Sequence, residues 1–526
     1  MSAAAPALAA PAGSAATAAA GSGRHLPLQY LRAAAACCVL LYHAGFYVQH
    51  YAGDGRVLAV FGDGLGRFGV LVFFALSGLL MAVQARRMAN DAPRFLLHRV
   101  VRIYPAFWLA CLLQAAALLL LGDTRQLDPL TLMLAPLGPD RAYVLGVEWT
   151  LVYELGFYLA VGALVLLRLG RHVALAGGCW LLVIVVLGLL RSEQTVILHT
   201  GAAGLLLSSS TAAFAAGLLL EALPRRAGAF SPVQAALLLG FAAGWGFWLL
   251  DGPGAARIGA TAAATGCACL VAWVSGLPAR GPRALSWLAR LGDWSFALYL
   301  VHVPVLMLLL PRLPEAGPLL LALAGVAAAL VAGALLGMAD LSLHRVLRGA
   351  CDRLRPGWRV LACGLFLAAF AGSVGLARQQ AGDHRRLPPA LNALREVGKV
   401  EDVPDLLARA GFPEDPALTG SLDVFRRGRT GLSLEGWTSD PADWRNRSRL
   451  LVVVPGHGVI LLPPRNYRMD LLSALGEANA AAPVGFQRML DGAACPPGRG
   501  ALLVFLSLER RVSRVVGRAT CPDGAE

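Results

Sequence analysis

Over the first 377 residues, long apolar runs alternate with short polar connections rich in arginine. The runs fall near 28–47, 66–85, 103–121, 147–167, 173–190, 200–222, 233–250, 257–276, 291–310, 317–343 and 360–377. A helix of about twenty such residues, rising ~1.5 Å per residue, matches the hydrocarbon thickness of a bilayer. The pattern predicts an α-helical polytopic membrane domain of about eleven transmembrane helices. Beyond residue 377 charged residues and prolines become frequent, and the apolar runs shorten. A Leu/Ala-patterned stretch at 389–411 reads as helix. SLDVF, GLSLEGW, RLLVVVP, GVILLPP and ALLVFLSLE read as strands, with GHG at 456–458 as a hairpin turn. The expected organisation is a disordered cytoplasmic tail at 1–23, a membrane domain at 24–377, a helical linker at 378–415 and a mainly-β (α+β) extracytoplasmic domain at 416–526.

Arginine placement orients the chain. With the N-terminus in the cytoplasm, the inner connections hold more than twice as many arginines as the outer ones, as the positive-inside rule requires. An odd number of spans then sends residues 378–526 outside. The chain has 526 residues, 57% hydrophobic and only 15% charged, with a formal net charge of +14. Lys399 is the sole lysine, and the topology signal accounts for most of the basic excess. The expected macromolecular surroundings are therefore a lipid bilayer and no nucleic acid. Residues 1–23 are mostly Ala, Gly, Ser and Pro. They lack a basic start and a leucine-rich core, so no signal peptide is read there.

Ten cysteines are present, of which only Cys495 and Cys521 lie beyond the membrane region. Two thiols in an oxidising compartment predict one Cys495–Cys521 disulfide.

The candidate chemistry sits in the spans, where ionisable groups are costly and mark sites or pathways by default. Arg32 and His43 are eleven positions apart in the first run. That is three turns plus ~20°, which puts them on one helix face ~16 Å apart along the axis. Arg99 and Arg102, three apart, share a face at the start of the third span. Guanidinium forks there suit phosphate oxygens, and Arg32 at similar depth can join them. Glu154 lies ~10 Å below the outer end of the fourth span and His43 ~6 Å below that of the first, so the two can meet, with the carboxylate orienting the ring. His302 precedes Pro304 in an apolar run, where freed carbonyls need partners. Tyr153, Tyr299, His302 and Ser77 are supporting candidates, with packing roles as the plainer reading. No GxSxG elbow, P-loop or Cys/His metal spacing is present, so no metal and no resident cofactor is expected.

Five segments, in order, carry a family resemblance: LQYLRAAAACCVLLYH, GVLVFFALSGLLM, RFLLHRVVRIYPAFW, EWTLVYELGFY and LGDWSFALYLVHVPVL. Through residue ~350 the chain resembles the bacterial acyltransferase-3 family of integral membrane O-acyltransferases. It departs at Leu71, where many relatives carry an acidic residue. The resemblance implies a bacterial inner-membrane enzyme that moves an acyl group, most simply acetyl, from cytoplasmic acyl-CoA to a hydroxyl of a periplasmic or cell-surface glycan. Arg32, Arg99 and Arg102 would bind the acyl-CoA, while His43 and Glu154 would be catalytic. Direct transfer and an acyl-enzyme relay both stay open, as does a homo-oligomer. Residues 433–460, with Gly436-Trp437 and Asp440-Pro441, resemble small β-sandwich modules appended to bacterial membrane glycan enzymes, which implies a non-catalytic accessory role. The rival class is a transporter or flippase of glycan or lipid intermediates, but no internal repeat and no paired broken helices are visible in the sequence. A membrane-anchored binding protein would leave the buried His and Glu without a task.

Overall fold

The computed structural model describes residues 25–120, 129–136, 144–190, 202–222, 255–279, 281–313, 316–385, 387–428, 431–440, 448–454, 458–462, 485–490, 500–507, 511–512 and 517–520. The expected tail at 1–23, the apolar run at 233–250 and both Cys495 and Cys521 lie outside these residues.

The helices, in chain order, are α1 (Leu26–Ala52), α2 (Arg56–Arg87), α3 (Ala92–Leu120), α4 (Pro129–Leu132), α5 (Trp149–Leu166), α6 (Val173–Leu190), α7 (Ala202–Leu207), α8 (Thr211–Leu219), α9 (Ala255–Gly276), α10 (Ser286–Leu309), α11 (Pro318–Arg353), α12 (Pro356–Arg385) and α13 (Val403–Arg409). Among the described residues, eight stretches are long and apolar enough to cross a membrane. Large apolar side chains such as Leu119, Leu166, Leu319, Leu335 and Leu365 stay exposed on these helices. Such faces cost little against lipid and much against water. The chain is a multi-pass membrane protein.

Two expectations need correction. The run at 200–222 is not one continuous helix but two short ones, α7 and α8, parted at Ser208–Ser210. The hydroxyls there compete with the helical ladder: Thr211 Oγ1 bonds the Leu205 carbonyl at 2.7 Å, and Ser208 Oγ lies 2.9 Å from Thr211 Oγ1. The third span begins at Ala92 rather than near 103, so Arg99 and Arg102 lie inside the helix rather than at its mouth. Its polar first turns are held by partners elsewhere. Asp352, at the end of α11, accepts hydrogen bonds from Arg94 Nε at 2.8 Å and His98 Nε2 at 2.9 Å, and Arg359 of α12 donates to Asp91 at 3.0 Å.

The centre of the bundle is α1, α2 and α10. α1 packs on both others, α10 also packs on α11, and α2 on α8. Small residues set the spacing. A Cβ at Gly78 would come 2.3 Å from the Phe214 carbonyl oxygen, and one at Gly217 would come 2.4 Å from that of Ala75. Gly69 and Gly292 similarly admit the backbone of α1. α1 ends where Gly53 takes φ 68° and its N–H returns to the Gln49 carbonyl, the left-handed stop that glycine adopts without steric cost.

After α12 the chain changes character, as its composition predicts. The stretch expected as a helix at 389–411 is mainly 3₁₀ turns, with one short α-helix. Pro388, Pro389 and Pro404 limit longer runs there. Strands β1 (Thr419–Gly428), β2 (Gly431–Ser439), β3 (Arg449–Val454), β4 (Gly458–Leu462), β5 (Gly485–Leu490), β6 (Gly500–Leu506) and β7 (Gly517–Thr520) form two antiparallel sheets, ordered β1-β2-β5 and β4-β3-β6-β7. All six residues of β3 are buried, because its two faces pack into separate apolar clusters. Arg511 ties the segment together with bonds to Asp415 at 2.6 Å and Asp440 at 2.8 Å. This is the polytopic helical domain followed by a β region.

Candidate functional site

A cavity of about 150 Å³ lies among α1, α2, α3, α5 and α10. Arg32, Arg99 and Arg102 line it together with Glu154, Ser77 and Tyr158. Each cation is held by a neighbour. Arg32 Nη1 lies 3.4 Å from Gln29 Oε1, one turn earlier on α1. Arg99 is buried, donates to Gln84 Oε1 at 2.6 Å, and lies over the Tyr158 ring with Cζ 5.6 Å from the centroid. Arg102 pairs with the buried Asp340 of α11 at 2.9 Å, and its guanidinium lies 4.5 Å from the centroid of Phe296. Glu154 accepts from Ser77 Oγ at 3.2 Å and, in a shorter bond, from Tyr158 OH one turn along α5.

Two buried polar atoms at this cavity have no hydrogen-bond partner among the described residues: Nε of Arg99 and Oγ of Ser295. A buried donor without a partner is costly. One carried by a guanidinium beside an open space suits an anionic or strongly accepting ligand.

At one wall stands Tyr299, whose OH lies 2.7 Å from Thr150 Oγ1 and 3.0 Å from the Val147 carbonyl. Its ring lies 5.6 Å from that of His302. His302 Nδ1 faces the Tyr299 and Leu298 carbonyls at 2.8 and 3.2 Å, and its Nε2 lies 3.1 Å from His43 Nδ1. His43 Nδ1 also reaches the Val39 carbonyl at 2.9 Å.

The family model of the acyltransferase domain matches residues 27–338. The chain belongs to the acyltransferase-3 family. No curated protein and no solved structure matches it. As a member of this family the protein is a membrane acyltransferase, and the matched span contains every residue lining the cavity; Asp340, the partner of Arg102, lies just past its end.

Of the residues singled out from the sequence of this acyltransferase, the fold brings six to one cavity: Arg32, Arg99, Arg102, Glu154, Ser77 and Tyr299. Ser77, read from the sequence as a packing position, is a partner of Glu154. Where the sequence allows His43 to pair with Glu154, the structure gives each a different hydrogen-bond partner. Glu154 is engaged by Ser77 and Tyr158, while His43 meets His302. Helical phase explains the difference. Tyr158 sits one turn from Glu154 and faces Arg99 with it, and that pairing takes up a carboxylate oxygen. Tyr153 packs in an aromatic cluster with Phe74, Trp149 and Phe157, behind the lining residue Phe74 rather than in the lining itself. Sequence reasoning missed Tyr158, Gln84, Ser295, Thr150 and Asp340. The i, i+4 spacing of Glu154 and Tyr158 was a readable signal. Asp340 was a second one, as an acidic residue within an apolar run.

Glu148, just before α5, was also passed over. It is fully buried and accepts from the backbone N–H groups of Leu145, at 2.9 and 3.0 Å, and Val147, at 3.1 Å. Burial outweighs these hydrogen bonds and raises its carboxyl to about 7. The side chain pins the turn whose Val147 carbonyl receives Tyr299 and Thr150, so it holds the cavity wall in place.

Proposed function

We propose that the protein transfers an acyl group, most simply acetyl, from acyl-CoA to a hydroxyl of a cell-envelope glycan. The observation that carries this reading is the gathering of Arg32, Arg99, Arg102 and Glu154 on one cavity, with the His43–His302 pair beyond Tyr299. Three guanidinium groups in a bundle interior call for a polyanionic ligand. Arg32 and His43 are separated by eleven residues of continuous helix, ~16 Å along the axis. A donor whose phosphates and reactive carbonyl lie at opposite ends of a long arm fits that separation.

In this reading the protein lies in the bacterial inner membrane with its N-terminus in the cytoplasm, and the donor enters from that side. Its phosphates meet Arg32, Arg99 and Arg102, and the pantetheine arm passes Tyr299. His43 takes the proton from the acceptor hydroxyl as its oxygen attacks the thioester carbonyl. When the tetrahedral intermediate collapses, the carbon–sulfur bond breaks and the leaving thiolate takes that proton back from the imidazolium. Glu154 supplies negative charge near the arginines and favours the imidazolium while it exists. The β region following α12 would lie in the periplasm and present or position the glycan.

The test is transfer of radiolabelled acetyl from acetyl-CoA in membranes, combined with mass analysis of surface glycans from wild-type and deletion strains. His43→Ala should abolish transfer in a protein that still inserts. Full residual activity would remove His43 as the base. Unchanged glycan acylation in the deletion strain would reject the acceptor class.

A further inference from the structure

The contacts of the two histidines determine where their hydrogens lie. A carbonyl oxygen only accepts, so His302 Nδ1, at 2.8 Å from the Tyr299 carbonyl and 3.2 Å from that of Leu298, carries the hydrogen. His302 is buried, with 1% of its surface exposed, and a second proton would place a charge there at high cost. Its Nε2 therefore presents a lone pair, 3.1 Å from His43 Nδ1. His43 Nδ1 then faces two acceptors, that lone pair and the Val39 carbonyl at 2.9 Å. Only an N–H satisfies both. The rings meet edge to face at 62°, with centroids 4.9 Å apart, a geometry that directs the N–H of one ring at the nitrogen of the other.

We propose that His302 is a positioning residue for His43. By accepting from His43 Nδ1–H together with the Val39 carbonyl, it holds the neutral His43 ring in the Nδ1–H tautomer, so that the base nitrogen is Nε2. The chain of orientation runs from the backbone of α10 through His302 to His43, and so fixes the base on α1 relative to the helix that carries Tyr299. When His43 gains a proton at Nε2, the lone pair of His302 continues to accept from Nδ1–H, and no rearrangement is needed between the two halves of the reaction. Sequence position alone does not reveal this role, because the two residues are 259 positions apart.

The inference rests on the proposed acyl transfer only for its consequence. The tautomer itself can be read without any activity. Histidine-selective ¹⁵N labelling of the full-length protein in detergent, with His43 assigned by its loss in His43→Gln, should show neutral His43 protonated at Nδ1 and unprotonated at Nε2. His302→Leu, which leaves the Val39 carbonyl in place, should shift the balance part of the way toward the Nε2–H tautomer, while His302→Gln, whose Oε1 can accept, should restore the wild-type signal. Transfer should follow the same order. His302→Leu should lower kcat roughly tenfold, the effect of losing one buried acceptor bond, with the acetyl-CoA KM unchanged, and His302→Gln should recover most of it. A His43 lone pair on Nδ1 in the wild type would overturn the proposal. So would equal losses of kcat and thermal stability in both variants, which would make His302 a packing residue. The predicted ¹⁵N pattern in a protein without transferase activity would leave the proposal standing and reject the proposed function instead.

Discussion

Arg102 has both a binding and a structural assignment, and the two can be separated. Its guanidinium pairs with Asp340 at 2.9 Å and lies over Phe296. Arg102→Met keeps an unbranched side chain against the Phe296 ring but removes the charge. Two losses follow. A donor phosphate loses a charge-assisted hydrogen bond worth roughly 1.5–3 kcal/mol, so the acyl-CoA KM should rise about tenfold to a hundredfold. Asp340 is left in the bundle without its cation. Breaking a fully buried pair from one side costs about 3–5 kcal/mol. The Arg102 side chain is 23% exposed toward the cavity and that of Asp340 only 5%, so about 2 kcal/mol is the reasonable expectation after solvent screening. Adding Asp340→Leu removes the stranded carboxylate. The double variant should recover wild-type thermal stability and keep the raised KM. Unfolding midpoints in detergent and initial rates against acyl-CoA concentration measure the two effects independently. Recovery of KM together with stability would show that Arg102 acts only as the partner of Asp340, and a single variant as stable as the wild type would refute the pairing energetics.

Other consequences are open to direct measurement. Gly217→Ala should lower the stability of the membrane domain by about 1–3 kcal/mol, because the added methyl meets the Ala75 carbonyl oxygen at 2.4 Å; an unchanged unfolding midpoint would show that α2 and α8 separate freely. Burial raises the Glu148 carboxyl from its ordinary 4.5 to about 7, so the folded state holds this proton more tightly than the unfolded one. That contribution to stability is complete below 4.5 and is lost as pH rises through 7. Wild type should therefore lose stability relative to Glu148→Gln between pH 5 and pH 8, and a constant difference between the two would refute it. Peptide mapping without reductant should recover Cys495 and Cys521 in one disulfide, and alkylation of both thiols in intact protein would exclude the bridge.

The membrane character of this chain was written in the sequence, because a bilayer acts as a solvent on each span separately. Twenty apolar residues cross it whatever their neighbours are. Local spacing also placed Arg99 beside Arg102 and Arg32 on the face of His43, since 3.6 residues per turn needs no tertiary information. The strands after α12 followed from period and composition in the same way. What one helix meets on another was not legible. Depth along two spans allowed His43 to reach Glu154, but rotation about each axis decides the contact, and rotation is set by packing. Gly69 and Gly292 let α2 and α10 close on α1, and that approach turns His43 toward His302 while Glu154 faces Tyr158 and Ser77. The broken run at 200–222 has the same kind of cause, hydroxyl groups whose choice of carbonyl is settled only in the folded bundle. Asp340 illustrates the limit most directly. The sequence displays a carboxylate in an apolar run, and only the crossing of α11 with α3 supplies the arginine that makes it affordable.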